Sequence, residues 1–177
     1  MNLKPLFETQ RVLRDRIRYN EPDRFRKLIL ALLVEIGECA NEWRGFKFWS
    51  KNQKARTHEL TYERHGEPPV LKNFLLEEYV DGLHFVLELG LEHHKELTEY
   101  SYDKEIAVVN KADVTTQFNL IFNKVTDYFT NPTKGNYVWM VELYLGLGTM
   151  LGFTWEQIEQ AYYDKNKINH ERQENGY

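Results

Sequence analysis

Two acidic pairs are the residues best placed to do chemistry in this chain: Glu35-x-x-Glu38 and Glu78-x-x-Asp81. A spacing of three puts both carboxylates of a pair on one face of a helix, a turn apart. Each pair is embedded in apolar sequence. Leu28, Ile29, Leu30, Leu32, Leu33, Val34 and Ile36 cover most of a helix circumference, and Glu35, Glu38 and Glu42 share the remaining arc. In the second segment, Leu75, Leu76, Tyr79, Val80, Leu83, Val86 and Leu87 take one side, and Glu77, Glu78, Asp81, His84 and Glu88 the other. Like charges about 4 Å apart repel by about 4 kcal/mol at an effective dielectric near 20. Few lysines or arginines stand four residues away to offset that repulsion. Packed together, the two helices would gather four carboxylates, an oxygen-only donor set suited to Mg²⁺ or Mn²⁺ with positions left for water and phosphate. Solvated carboxylates paired with lysines are the competing reading.

The opposite charge comes from the end of the chain. Lys165, Asn169 and Arg172, spaced by four and three, lie on one helix face, and Gln173, Gly176 and Tyr177 follow. Two cations and an amide suit phosphate oxygens and a sugar hydroxyl. Cations near a helix C-terminus also complement the helix dipole, so the pattern alone leaves both explanations open.

The elements that must position these groups are helices. Residues 3–18 form an amphipathic segment ended by Asn20-Glu21-Pro22-Asp23, and a second helix runs from about Asp23 to Trp43, its apolar girth placing it at the centre of the bundle. A third covers about Lys72–His94. A fourth covers roughly Asp103–Phe129, with a break near Asn110, and stops at Asn131-Pro132. Residues 136–151 make a fifth. Thr154, with Gln157 three residues on, caps a sixth that continues to about Glu174. Residues 51–71 are polar, end in Gly66 and Pro68-Pro69, and read as a loop or insertion. An all-α bundle of about six helices in a single domain, residues 1–177, follows.

Bulk properties narrow the function. A net charge of −4 and pI ≈ 5.9 argue against a nucleic-acid binder. No apolar run approaches the roughly 20 residues of a membrane span, and the first residues lack a signal-peptide pattern. The lone cysteine, Cys39, excludes an internal disulfide and suits a cytoplasmic protein.

The stretches LLVEIGECANEWRGFKFWS (32–50), EEYVDGLHFVLELG (77–90) and GFTWEQIEQAYYDKNKINHERQENGY (152–177) resemble the all-α, dimeric dUTPases of the MazG-like NTP pyrophosphatase superfamily. That resemblance implies Mg²⁺-dependent hydrolysis of dUTP and dUDP to dUMP, with Mn²⁺ a possible substitute, by a homodimer that limits uracil in DNA. Carried over residue by residue, it implies that Glu35, Glu38, Glu78 and Asp81 bind the metal, with Glu38 and Glu35 the catalytic carboxylates. Lys165, Arg172 and Tyr177 would hold phosphates, Asn169 the nucleoside, and Gln10, Trp49 and His84 the base or sugar. Arg14 stands where the family pattern leads one to expect an aspartate after Leu13. Two other functions fit the same residues: a MazG-type enzyme for another nucleotide, and a non-catalytic interaction module presenting aromatics such as Tyr162 and Tyr163.

Overall fold

A computed structural model describes residues 1–62, 68–94 and 107–176. Among these residues the chain forms α1 (Lys4–Ile17), α2 (Arg24–Trp43), strands β1 (Glu59–Thr61) and β2 (Val70–Lys72), α3 (Phe74–His93), α4 (Val114–Thr130), α5 (Lys134–Met150) and α6 (Trp155–Glu174). The all-α architecture matches the helical periodicity of the sequence. Helix starts are set by local chemistry. Asn73, Asp113 and Thr133 each accept a hydrogen bond from a backbone N–H three residues on, and Thr154 with Gln157 forms a reciprocal capping box.

The central helix is α3, which packs against α1, α2, α5 and α6. Its core residues include Leu75, Tyr79, Leu83, Val86 and Leu87, all nearly or fully buried. Close approach to α5 depends on two glycines. Tyr144 donates to the Tyr79 carbonyl at 2.7 Å and Tyr79 to the Tyr144 carbonyl at 3.2 Å, their rings stacked with centroids 5.0 Å apart. A Cβ at Gly82 would lie 2.1 Å from the Tyr144 hydroxyl, and one at Gly148 2.6 Å from that of Tyr79. The phenol groups occupy the space that side chains would need.

Three sequence expectations require correction. Helix α2 is not the centre of the bundle: Ile29, Leu32, Ile36 and Cys39 face the core, while Leu30 and Val34 are 63% and 48% exposed. Apolar girth reported that side chains are apolar, not which of them meet a neighbour. Helix α4 starts only at Val114; residues 107–113 are not helical, and 103–106 lie outside the described residues. Gln117 holds the preceding loop in place, donating to the carbonyls of Val109 (2.8 Å) and Leu143 (2.6 Å) and accepting from the Lys111 N–H. Finally, the 51–71 segment contains part of an antiparallel hairpin pairing Glu59 with Lys72, Leu60 with Leu71 and Thr61 with Val70. Arg56 pins it to the bundle: its backbone bonds the Glu42 carbonyl and the Leu75 N–H, and its guanidinium grips Glu42 and Glu59 over the Phe74 ring.

Candidate active site and metal centre

On facing surfaces of α2 and α3, Glu35, Glu38 and Glu78 each offer a carboxylate oxygen, all within 4.8 Å of one another. Glu38 is exposed, and Glu35 and Glu78 are half-buried. Burial, followed by the negative charges of Asp81, Glu38 and Glu78, pushes the Glu35 carboxyl up to about 7. Burial, then Asp81, Glu38 and Glu77, does the same to Glu78, also to about 7. Such a cluster stores repulsion that a divalent cation would relieve. The donor set is hard oxygen only, compact and partly open to solvent, and it fits a divalent ion of the Mg²⁺ or Mn²⁺ type.

Asp81 lies beside this trio and is engaged from the other side. Lys165 of α6 donates to Asp81 at 2.6 Å and to Glu77 at 3.0 Å. Burial pushes the Asp81 carboxyl up against the opposing pull of Lys165. Glu42, on the same α2 arc as Glu35 and Glu38, leaves the cluster because Arg56 holds both its oxygens, at 3.0 and 3.1 Å.

A cavity of about 420 Å³ opens along the same three helices. Leu28 and Ala31 of α2, His84, Phe85 and Glu88 of α3, and Asn169, Arg172 and Gln173 of α6 line it, with Gln10, Leu13 and Ile17 of α1 closing the far side. Each helix supplies the carboxylate end and the cavity from adjacent turns: Glu35 to Ala31, Asp81 to Phe85 and Lys165 to Asn169 are each four residues. At about 1.5 Å rise per residue, roughly 6 Å separates the two ends. The cavity size is in the range of small-ligand sites.

The cavity's polar wall is a buried network. Glu88 is 5% exposed and is held by Arg14 at 2.9 Å and by Arg24, while Gln10 donates to its other oxygen at 3.0 Å. The Gln10 carbonyl oxygen lies 2.8 Å from His84 Nδ1 and accepts from the Tyr162 hydroxyl at 2.8 Å. Arg14 and Arg24 also reach Glu92.

The structure therefore brings together Glu35, Glu38 and Glu78, sets Asp81 and Lys165 alongside, and puts Gln10, His84, Asn169 and Arg172 around one cavity. Trp49 is not among the lining residues: it is 65% exposed on the turn after α2, in edge contact with Phe46 and Phe48. Its aromatic neighbours, rather than the cavity, are what the local turn provides. Tyr177 lies outside the described residues. Sequence reasoning missed Arg24, Glu92 and the role of Arg14; their partners are over sixty residues away, and no periodicity signals them. Tyr162, read there as part of a partner surface, is fully buried against His84.

A helical bundle that joins a carboxylate cluster, a lysine and a small-ligand cavity has donors suited to a divalent ion and room beside them for a small molecule. A family model described as dUTPase matches residues 2–177, and the chain belongs to that family, the all-α dUTPases. Its members are dUTP diphosphatases, enzymes that hydrolyse dUTP and in general need a divalent metal. Among curated proteins none matches the chain. Among the described residues no helix is long and apolar enough to cross a membrane.

Proposed function

We propose that this chain hydrolyses dUTP, and dUDP, to dUMP in a Mg²⁺-dependent reaction that releases pyrophosphate or phosphate and limits uracil in DNA. The observation that carries this reading is the adjacency of the Glu35–Glu38–Glu78 cluster and the cavity on successive turns of the same helices. A nucleotide can span that distance with its phosphates at the acidic end and its base in the cavity. Glu35, Glu38, Glu78 and Asp81 are the residues to hold Mg²⁺, for which Mn²⁺ is a possible substitute. A bound ion there would neutralise the cluster and the phosphates and lower the pKa of a coordinated water.

The remaining steps belong to side chains. Glu38, the exposed member of the cluster, orients the attacking water and accepts its proton as general base. The water oxygen bonds to phosphorus as the bond to the leaving phosphate or pyrophosphate breaks. Lys165 and Arg172, with Tyr177 from the chain end, hold phosphate oxygens and stabilise the charge that develops on the leaving group. The ion pairs of Lys165 with Asp81 and Glu77 put its ammonium beside the carboxylate cluster, which supports this role. Asn169, Gln10 and His84 contact the nucleoside. We further propose a cytoplasmic homodimer, supported by the exposed apolar face of α2 and the single buried Cys39.

The test is a substrate panel in Mg²⁺. Turnover of dUTP and dUDP should exceed that of dCTP and dTTP by at least about tenfold, the scale of contact-based discrimination. Preference for dCTP or a purine nucleotide would overturn the reading.

A further inference from the structure

The buried network behind the cavity fixes more than packing. Glu88 Oε2 can only accept from Gln10, because Oε1 of the same carboxylate is bound by the Arg14 and Arg24 guanidiniums. The Gln10 amide is therefore oriented with its NH₂ toward Glu88 and its carbonyl oxygen toward His84 and Tyr162. Tyr162 donates to that oxygen at 2.8 Å, its contact with the Leu6 carbonyl being longer at 3.3 Å. An amide oxygen only accepts, so the His84 nitrogen 2.8 Å away, Nδ1, must carry a proton.

The ring itself stays neutral. His84 is 6% exposed and stacked on Tyr162, with centroids 4.2 Å apart. Burial, then the charge of Lys165, drives it down to about 3, with the Tyr162 backbone pulling less strongly the other way. With one proton, on Nδ1, the second nitrogen is a bare acceptor. His84 Nε2 is buried and has no hydrogen-bond partner among the described residues. A buried acceptor without a donor is a group that a ligand can complete.

We propose that Glu88 is a positioning residue: clamped by Arg14 and Arg24, it fixes the Gln10 amide and through it presents His84 Nε2 as the acceptor for a ring N–H of the bound base. This rests on reading the cavity as the base pocket of a dUTP hydrolase. It gives the pocket a polarity. A pyrimidine whose ring nitrogen carries hydrogen satisfies Nε2; one whose ring nitrogen is a lone pair or is methylated does not.

Glu88→Gln tests the relay with little change of shape. The new amide keeps one oxygen for the arginines but turns a donor toward the Gln10 NH₂. Gln10 must then rotate, place its own NH₂ against His84 Nδ1 and force the proton to Nε2. A long-range ¹H–¹⁵N spectrum should show His84 protonated on Nδ1 in the native chain and on Nε2 in Glu88→Gln. Affinity for dUMP should fall roughly ten- to a hundredfold in the variant, the scale of a buried acceptor turned into a misplaced donor. The native protein should also prefer dUMP to N3-methyl-dUMP, a preference lost in Glu88→Gln, while Mg²⁺ affinity stays the same. If Glu88→Gln unfolds, Tyr162→Phe, which removes one donor from the Gln10 oxygen, takes its place with a smaller loss of the same preference. An Nε2-protonated or doubly protonated His84 in the native chain overturns the proposal, as does an unchanged tautomer or unchanged dUMP affinity in Glu88→Gln. Failure of the native chain to hydrolyse dUTP would instead strike the functional reading, since the tautomer is measured without substrate.

Discussion

Burial, and then the neighbouring acids, push the Glu35 and Glu78 carboxyls up to about 7, far above the ordinary carboxylate range. In the unfolded chain both titrate near 4.5. Between these values the folded protein binds more protons than the unfolded one, so the stability they allow at acid pH is lost as pH rises through 7. His84 acts in the opposite sense, since its folded value lies below 6.5 and acid favours the unfolded chain. Comparing variants isolates the carboxylates. In chelator, Glu35→Gln with Glu78→Gln should raise the melting temperature at pH 8, and the gain should shrink toward pH 5. An equal gain at both pH values, or none at pH 8, would show that the cluster stores no repulsion. At this scale the acidic pairs were legible because helical spacing and apolar surroundings both mark them. Lys165 capturing Asp81, Arg56 removing Glu42 and the Glu88 network were not, because each depends on a contact between separate elements.

Helices carry those side chains, and their legibility followed the same physics. Caps and periodicity are local, so the capped start at Thr154 and the run of α3 could be read directly, while the caps Asn73 and Thr133 lie within a few residues of the starts that periodicity gave. The hairpin could not: three residues per strand give almost no alternation, and its anchor Arg56 acts through Glu42 and Glu59. Neither could the centrality of α3, which packs against α1, α2 and α6 and fits closely to α5. That fit yields a prediction. Gly82→Ala should destabilise the protein by about 1 to 3 kcal/mol by forcing Tyr144 off the Tyr79 carbonyl, lowering the thermal midpoint by roughly 2 to 12 °C. Gly135→Ala, at an exposed helical position with nothing within 4 Å of the added Cβ, should raise the midpoint slightly. Equal effects from the two would mean that close packing of α3 on α5 is not what requires Gly82.

The whole molecule leaves an apolar surface unaccounted for within one chain. Leu30, Val34 and Phe129 are 63%, 48% and 44% exposed, and Ile29 and Leu33 line a groove beside them. If a second copy covers this face, sedimentation should give about twice 21.2 kDa, and Leu30→Glu with Val34→Glu should give a monomer with the helical spectrum intact. A native monomer would exclude the dimer. The same intact molecule offers the most direct test of the central claim, that Glu35, Glu38 and Glu78 converge to hold the metal that makes this bundle a dUTP hydrolase. Formation of dUMP from dUTP should be followed in the native chain and in Glu38→Gln, with Mg²⁺ and with chelator. The account predicts turnover only in the native chain with Mg²⁺, and a loss of at least about a hundredfold in Glu38→Gln at unchanged helicity. Full turnover in chelator, or in Glu38→Gln, would contradict it.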